Sequence, residues 1–431
     1  MLQNLQQFFC CSPSLPPTYQ TDLNTSSIAS SNAVVLPLSK MDTFTKNQIE
    51  STKELLYYHD NDSDVYSIHL NDIINIPSLS IEKIDFGLNH CLILLKDDSQ
   101  QPPKTFLAGF GDNSQGQLGL DVYSKKQSQS TENKNFYKEV VLINPFTSNQ
   151  YILDIAASNN FSLVLVKDNI TKEKTFYRFE LNQDELFSIG NFTYKSINPL
   201  KIEECPKEIV QNVSKIYAKN ERIILQTELN NSIYIKGMSF HLDIYLKYKL
   251  FKQFKESINH ISIGVNHCLI LFSDNTLISV GHNEYGELGT PCINPKQMNK
   301  LSTFYAGHTI KKICSGFRHN LVLCEDGMLF AFGDNHSKQC LGDGDYCPEP
   351  KVVNIKDVVD IICGGKFSLA KNRHGEVFAW GECDFLFKEE RTSNYCKAGD
   401  SMRLINDIKL KSIAAMFAGD DEVVFYAEKF N

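Results

Sequence analysis

A seven-residue pattern occurs twice in closely similar form, as Ile84-Asp-Phe-Gly-Leu-Asn-His90 and as Ile261-Ser-Ile-Gly-Val-Asn-His267. Each copy continues into an apolar run, Cys-Leu-Ile-Leu-Leu after the first and Cys-Leu-Ile-Leu-Phe after the second. Further copies, some of them degenerate, begin at other isoleucines. The seven anchor positions are Ile84, Ile155, Ile216, Ile261, Ile313, Ile361 and Ile413. A period of about 50 residues that recurs this often indicates a repeat architecture.

Two more patterns follow the better anchors. The first predicts a tight turn and a strand that ends in glycine, as in Asp274-Asn-Thr-Leu-Ile-Ser-Val-Gly281, Asp326-Gly-Met-Leu-Phe-Ala-Phe-Gly333 and His374-Gly-Glu-Val-Phe-Ala-Trp-Gly381. Its leading dipeptide suits a hairpin, because Gly and Asn tolerate positive φ. The second pattern is a polar, glycine-rich loop, which is clearest at residues 111–119 and 281–289.

Each repeat therefore predicts four short strands, because a further apolar or alternating segment precedes the next anchor, as at residues 140–143, 199–202 and 350–353. None of the repeats has a convincing helical period. Four strands in about 50 residues are typical of a propeller blade, and blades stacked around an axis bury the faces that one blade would expose. We predict an all-β fold, a seven-bladed β-propeller of four-stranded blades.

The last repeat predicts how the ring closes. Ile413 is followed by too few residues for a full blade, whereas Leu55-Leu-Tyr-Tyr-His-Asp-Asn61 resembles the third-strand segment at residues 329–335. We therefore expect N-terminal strands to complete the C-terminal blade, with residues 73–76 as the next inner strand. The expected domains are a flexible N-terminal tail at 1–54 and a propeller at 55–431.

The composition excludes several classes of protein. With 28 Phe and 18 Tyr among 431 residues, the chain is not wholly disordered, and it has no apolar run long enough for a membrane-spanning helix. Its net charge of -8 offers no cationic surplus for direct DNA binding. The 13 scattered cysteines lack a Cys-x-x-Cys pair, and the start is a poor signal peptide. We expect free thiols and an intracellular location, in the cytoplasm, the nucleus or both.

These patterns resemble the repeats of the regulator of chromosome condensation family, which read Ile-x-x-Gly-x-x-His, an apolar strand, Asp-Gly, aromatic-Gly-x-Asn and Gly-Gln-Leu-Gly. The resemblance covers roughly residues 55–430 and is weakest in the repeats at Ile155 and Ile216. It implies a seven-bladed propeller. It also implies structural roles for the matching residues, which are Gly87, His90, Gly111, Gly116, Gly119, Gly264, His267, Gly281, Gly286, Gly289, Gly316, His319, Gly333, Gly364 and Gly381.

The family includes GTPase exchange factors, ubiquitin ligases, a plant photoreceptor and adaptors, so the resemblance alone does not fix an activity. A single Trp, Trp380, excludes the photoreceptor's tryptophan cluster. Residues 1–54 are too short for a ligase domain and lack the basic tail of a chromatin-bound exchange factor. We expect a non-enzymatic, monomeric scaffold or adaptor without a cofactor, which binds a protein on a face not yet known. The alternatives are a guanine-nucleotide exchange factor or regulator for a small GTPase, and an accessory subunit of a chromatin- or RNA-modifying enzyme.

Three motifs allow a ligand-binding interpretation besides a structural one. His90, His267 and His319 could suggest a metal site, but they occupy one repeat position in separate blades, which favours histidines bonded to nearby backbone. Gly109-Phe-Gly111 lacks the third glycine of a dinucleotide loop. Asp60-Asn-Asp-Ser-Asp64 lacks the glycine and the glutamate of a calcium loop, so a solvated turn is favoured.

Four other segments remain open in the same way. Cysteines in or beside the repeat strands, such as Cys91 and Cys268, are interpreted as packing residues. The lysines and aromatic residues at 245–255 could bind phosphate or an acidic partner, although their alternation favours a blade strand. Cys10-Cys11 could be acylated, but no second lipid signal supports this interpretation. The polar insertion at residues 121–138 is either a disordered loop or a binding element.

Overall fold

The computed structural model describes most of the chain from residue 52 onward, and all described residues belong to one compact unit, Asn32–Asn431. The described residues are 52–59, 66–69, 79–99, 101, 103–120, 122–125, 136–143, 146–180, 187–189, 192–195, 200–201, 205–220, 222–238, 244–291, 298–301, 305, 307–383, 386, 402–405, 413–419 and 422–429. The tail with Cys10-Cys11, the expected strand at 73–76 and the acidic segment 60–64 lie outside them.

Strands dominate this part of the chain. They are β1 (Thr52–His59), β2 (Tyr66–His69), β3 (Leu79–Phe86), β4 (His90–Asp97), β5 (Lys104–Asp112), β6 (Val122–Lys125), β7 (Phe136–Ile143), β8 (Gln150–Ala157), β9 (Ser162–Asp168), β10 (Lys174–Phe179), β11 (Phe187–Ile189), β12 (Phe192–Lys195), β13 (Leu200–Lys201), β14 (Val213–Lys219), β15 (Arg222–Thr227), β16 (Ser232–Met238), β17 (Ile244–Gln253), β18 (Ile258–Ile263), β19 (His267–Phe272), β20 (Leu277–Gly281), β21 (Asn299–Lys300), β22 (Ile310–Ser315), β23 (His319–Cys324), β24 (Leu329–Asp334), β25 (Tyr346–Val353), β26 (Val358–Cys363), β27 (Phe367–Asn372), β28 (Val377–Gly381), β29 (Arg403–Leu404), β30 (Ile413–Ala418) and β31 (Glu422–Lys429). A short helix, α1 (Lys207–Asn212), and a 3-10 turn (Leu229–Asn231) complete the list.

Six four-stranded sheets are each built from one stretch of chain. They are blade 1 (β3-β4-β5-β7), blade 2 (β8-β9-β10-β13), blade 3 (β14-β15-β16-β17), blade 4 (β18-β19-β20-β21), blade 5 (β22-β23-β24-β25) and blade 6 (β26-β27-β28-β29). One more four-stranded sheet, here called the terminal sheet, has the order β2-β1-β31-β30. The predicted all-β propeller is therefore correct, but only six blades form from continuous segments instead of the seven repeats counted in the sequence.

The terminal sheet joins the two ends of the described chain. β1 pairs antiparallel with β31 along its whole length, from Thr52 opposite Lys429 to His59 opposite Glu422. β31 also pairs with β30. N-terminal strands thus complete the sheet that begins at the last anchor, as the resemblance of residues 55–61 to a blade strand predicts.

The apolar core is divided among the interfaces between sheets. Seven clusters of buried residues each span two neighbouring sheets, and two of them include residues of the terminal sheet. There Val423 packs with blade 6, and Val424 packs with blade 1. All seven anchor isoleucines are buried, and each lies in a strand at one edge of its sheet. The repeat of the anchors therefore reflects one small core at each interface.

The predicted hairpin turns form where the dipeptides stand. Asn275, Gly327 and Gly375 have φ values of 69°, 84° and 81°, and each lies between the second and third strand of its blade. Positive φ at these positions is the reason that Gly or Asn is found there.

The insertion at residues 121–138 contains a structural element that the sequence did not reveal. Its first residues form β6, which pairs with β12 from the corresponding part of blade 2 in a three-stranded sheet, β11-β12-β6. The expectation of a disordered loop is therefore wrong for residues 122–125. Across the described residues, no helix has both the length and the apolar character needed to cross a membrane.

Candidate functional site: the interblade latch and the loop face

In three blades the histidine of the Gly-x-x-His pattern folds back onto its glycine. A Cβ atom added to Gly87, Gly264 or Gly316 would lie 2.1 to 2.2 Å from Cε1 of the histidine three residues later. In blade 6 the ring of Phe367 covers Gly364 in the same way, at 2.0 Å. The pattern needs glycine because the ring occupies the space of any side chain.

The same histidines reach into the next blade. Nε2 lies 2.8 Å from Ser162 Oγ for His90, 2.8 Å from Asn320 Oδ1 for His267 and 3.0 Å from Ser368 Oγ for His319. The expectation that Nε2 bonds to nearby backbone is therefore wrong, since its partner is a side chain 49 to 72 residues further along the chain.

Two of the three partner side chains return a hydrogen bond to the first blade. Asn320 Nδ2 donates to the carbonyl of Glu287 at 2.9 Å, and Ser368 Oγ donates to the carbonyl of Gln339 at 2.8 Å. Since the Ser368 hydroxyl hydrogen is used in this way, its oxygen accepts from the Nε2–H of His319. We call the histidine and the polar residue of the next blade, together with the loop carbonyl where one is bonded, an interblade latch.

The histidines of the latches are neutral at physiological pH. Burial lowers the pKa of His90 to about 3, that of His267 to about 4 and that of His319 to about 3. They lie in different blades and do not converge. Within the described residues, no group of three or more His, Cys, Asp or Glu side chains could hold a metal ion.

The latches predict acid sensitivity of the fold. A histidine with a folded-state pKa below its ordinary value of 6.5 contributes stability that is complete above pH 6.5 and is lost as the pH falls. The variant His319→Phe keeps an aromatic ring at this position, where blade 6 has Phe367. Loss of the hydrogen bond should lower the free energy of unfolding by roughly 1 kcal/mol at pH 7.5. When the pH is lowered from 7.5 to 5, the free energy of unfolding in urea should fall by about 2 kcal/mol more for the wild type than for this variant. An equal fall in the wild type and in His319→Phe would contradict a buried, neutral His319. The control is His374→Phe, because His374 is exposed.

In blades 1, 4 and 5 one asparagine holds the loop between the third and fourth strands. Asn113 Nδ2 donates to the carbonyl of Leu120 at 2.9 Å, and its Oδ1 accepts from the Leu118 N–H at 2.9 Å. Asn283 and Asn335 make the equivalent pair of bonds in blades 4 and 5. The sequence predicted structural roles only for the glycines and histidines, although Asn recurs two residues after the glycine in all three loops.

A second side chain closes each of these loops. Oε atoms of Gln117, Glu287 and Gln339 accept from the backbone N–H two residues earlier, at 2.8 to 2.9 Å. The carbonyl of Gln339 also accepts from Nε1 of Trp380 in the next blade, at 2.9 Å. The loops are therefore fixed internally and docked on the neighbouring blade.

The other predicted repeat glycines adopt positive φ. They are Gly111 (97°), Gly116 (74°), Gly119 (69°), Gly281 (122°), Gly286 (80°), Gly289 (65°), Gly333 (110°) and Gly381 (90°). At Gly286 the backbone of the next blade is also close, since an added Cβ would lie 2.6 Å from Cα of Pro348. Turn geometry and close packing thus both select glycine in these loops.

Gly316→Ala should be strongly destabilising. Its Cβ would meet Cε1 of His319 at 2.2 Å and the carbonyl oxygen of Gly364 at 2.4 Å, so neither the ring nor the next blade could stay in place. We expect the free energy of unfolding in urea to fall by roughly 3 kcal/mol. Gly342→Ala is the matched control, because its nearest contact is Cys347 Sγ at 3.7 Å. Similar values for both variants would show that the contact at Gly316 is unimportant.

Polar and aromatic side chains from three blades meet on the surface formed by these loops. The guanidinium of Arg318 lies over the ring of Tyr285 at 4.6 Å, and that ring meets His336 edge-on at 5.7 Å. Beside them, Lys366 Nζ forms an ion pair with Glu382 Oε2 at 3.2 Å. We call these five residues the loop-face cluster. All except Tyr285 are exposed.

Glu287 is a buried acid beneath this cluster, at a position where blades 1 and 5 have Gln. Its side chain is 3% exposed, and its Oε2 accepts from the N–H of Tyr285. Burial raises its pKa, while Arg318 partly opposes that shift. The ionised form is therefore disfavoured in the folded protein.

Glu287→Gln should raise stability near neutral pH. Because the folded-state pKa is raised, the wild type loses stability as the pH increases through the ordinary value of 4.5. Glutamine keeps the acceptor for the Tyr285 N–H without the charge. The free energy of unfolding should be higher in the variant at pH 7, and the difference should vanish toward pH 4. The exposed Glu284→Gln is the control, and an equal gain there would contradict the assignment.

The sheets, the latches and the glycine-rich loops define a β-propeller with Gly-x-x-His repeats. Residues 258–287 and 310–339 match the model of the Regulator of chromosome condensation (RCC1) repeat. Blades 4 and 5 thus carry recognisable RCC1 repeats, and the propeller resembles those of that family.

Two curated relatives match part of the chain. The chain is 32% identical over 139 residues to the human E3 ubiquitin-protein ligase HERC2, and this alignment covers 30% of the chain and 3% of HERC2. It is 31% identical over 136 residues to the ultraviolet-B receptor UVR8 of Arabidopsis thaliana, which covers 29% of this chain and 30% of the receptor. The chain thus spans less than a third of the length of either relative.

A solved structure resembles almost the whole fold. Prp20p from Saccharomyces cerevisiae superposes with a TM-score of 0.66 over 89% of this chain and 93% of its own, at 16% identity. That structure was described together with the binding of Prp20p to Gsp1p and histones. At this identity the likeness establishes the fold.

Proposed function

We propose that the protein is a non-enzymatic interaction module, a scaffold or adaptor, which binds a protein partner through the loop-face cluster. The observation that carries the proposal is the stacking of Arg318 on Tyr285 at 4.6 Å across two blades, with His336 at the edge of the same ring. Arg and Tyr are enriched among the residues that dominate binding energy at protein interfaces.

The rigidity of the loops supports this role. Because Asn283 and Asn335 fix their loops internally, the cluster is preorganised, and less conformational entropy is lost on binding. The buried histidines are occupied in latches, and buried cysteines such as Cys91 and Cys268 lie in apolar clusters. These groups have structural roles, which favours binding over chemistry.

The proposal includes a closed ring of seven blades, with the terminal sheet as the seventh. Its support is the packing of Val423 against blade 6 and of Val424 against blade 1. The first strands β26 and β3 also both contact β30. A closed ring would hold the loops of blades 4 to 6 in fixed positions around one axis.

A double variant tests the binding face. Arg318→Ala/Tyr285→Ala should reduce the recovery of the main partners at least tenfold in quantitative affinity purification of the tagged full-length chain. The control is Ile170→Ala/Leu229→Ala, which removes two side chains that are 72% and 59% exposed on loops at the opposite ends of the strands. Equal melting temperatures of the variants verify folding. Unchanged partners in the first variant would refute this face.

The second candidate function is nucleotide exchange on a small GTPase. It is supported by the fold shared with Prp20p, whose structure was described with its binding to Gsp1p. Such a factor displaces the nucleotide by binding alone, so the reaction needs no catalytic side chain. Release of a fluorescent GDP analogue from a panel of small GTPases should accelerate with wild type and not with the loop-face variant. No acceleration with any GTPase would reject exchange and leave the scaffold proposal standing.

A further inference from the structure

The outer strand of blade 3 has an edge without a strand beside it in the described part of the chain. β17 spans ten residues, more than any other described strand, and it pairs only with β16. Backbone N–H and C=O groups on the outer side of such a strand can pair with another chain.

This edge carries a concentrated positive charge. Lys247, Lys249, Lys252 and Lys255 are exposed, and residues 244–255 include no acidic residue. Leu250 lies among them and is 52% exposed. We call these five residues the lysine edge. Its charge is opposite to the net charge of -8 of the whole chain.

Three of the four lysines are available for a partner. Among the described residues no salt bridge includes Lys247, Lys252 or Lys255, whereas Lys207 and Lys312, for example, pair with Glu173 and Asp360. Neighbouring like charges in β17 and just after its end repel each other, and an acidic partner would relieve that repulsion.

Four of the other five blades limit their outer edges by different means. β13, β21 and β29 are two residues long, and β25 contains Pro348 and Pro350. Short strands and prolines prevent pairing with another chain. β17 has neither, so its backbone remains competent to accept a further strand.

The described aromatic side chains in β17 and just after it pack toward the core instead of the partner. Tyr248 is 7% exposed, and Phe251 and Phe254 pack against the cluster between blades 3 and 4. The ring of Phe254 lies 4.9 Å from that of Phe272. Single-stranded nucleic acids need exposed rings for base stacking, so a peptide fits this edge better.

We propose that the lysine edge binds an acidic, extended peptide segment of a partner protein, which pairs with β17 as a fifth strand of blade 3. Lys249 lies opposite Ile235 of β16 and Lys252 lies opposite Ile233, so these two lysines share one face of the sheet. Alternate residues of an added strand also share one face, so carboxylates at every second position would reach them. This site lies on the outer rim of the propeller and does not depend on the loop-face cluster.

The test uses the full-length chain and a fluorescein-labelled peptide that alternates Glu and Val over the length of β17. Fluorescence anisotropy should show saturable binding that weakens with added NaCl. Lys247→Gln/Lys252→Gln/Lys255→Gln should weaken binding roughly tenfold. The matched control is Lys300→Gln/Lys351→Gln/Lys356→Gln, which removes three exposed lysines from other parts of the ring and should leave binding unchanged.

Two further probes separate the strand mechanism from simple charge attraction. A peptide of the same sequence with N-methylated alternate residues keeps its charges but cannot complete the ladder, and it should bind at least tenfold more weakly. A Gln-Val peptide should not bind. The proposal is overturned by equal binding of the methylated peptide, by no effect of the β17 variant, or by tighter binding of a single-stranded oligonucleotide. The loop-face variant should bind the acidic peptide normally, so the two proposals fail separately.

Discussion

The close contact of an aromatic or imidazole ring with a glycine of its own loop is the constraint on which the rest of the propeller depends. A blade has two apolar faces and no core of its own, so its position is fixed only by its neighbours. Gly316 allows the ring of His319 and the backbone of the next blade to approach together. The N–H of Phe317 then donates to the carbonyl of Gly365 at 2.9 Å, which ties one blade's loop to the next.

From this contact the loop face follows. The histidine bonds to a polar residue near the start of the second strand of the next blade. That residue in turn donates to a carbonyl of a loop in the first blade, as Ser368 does to Gln339. Loops from adjacent blades are thereby fixed in relation to each other. Tyr285 and Arg318 come from different blades and still meet at a defined distance. The loop-face cluster is thus a product of the interface and could not exist in an isolated blade.

The sequence predicts the local parts of this arrangement and misses the long-range ones. Anchors, turn dipeptides and glycines are visible because each acts within its own repeat. The partner of His90 is Ser162, 72 residues away, and β6 pairs with β12 across a similar separation. No single repeat encodes such pairs, since they depend on which blades become neighbours. The lysines of β17 were visible in the sequence, but the free edge beside them was not.

The degenerate repeats show that the latch can be replaced. In blade 3 the histidine position is Arg222, which is 2% exposed and donates to the carbonyl of Val265 in blade 4 at 3.0 Å. Between blades 1 and 2, Lys83 pairs with Asp154 at 2.8 Å, and Asp154 in turn accepts from the N–H of Ile216 in blade 3 at 2.7 Å. An arginine thus replaces the histidine between blades 3 and 4, whereas neutral histidine contacts join blades 1 and 2, blades 4 and 5, and blades 5 and 6. Because blade 3 is held without the histidine of the repeat, its sequence can diverge from the repeat pattern. Blade 3 is also the blade that carries the lysine edge.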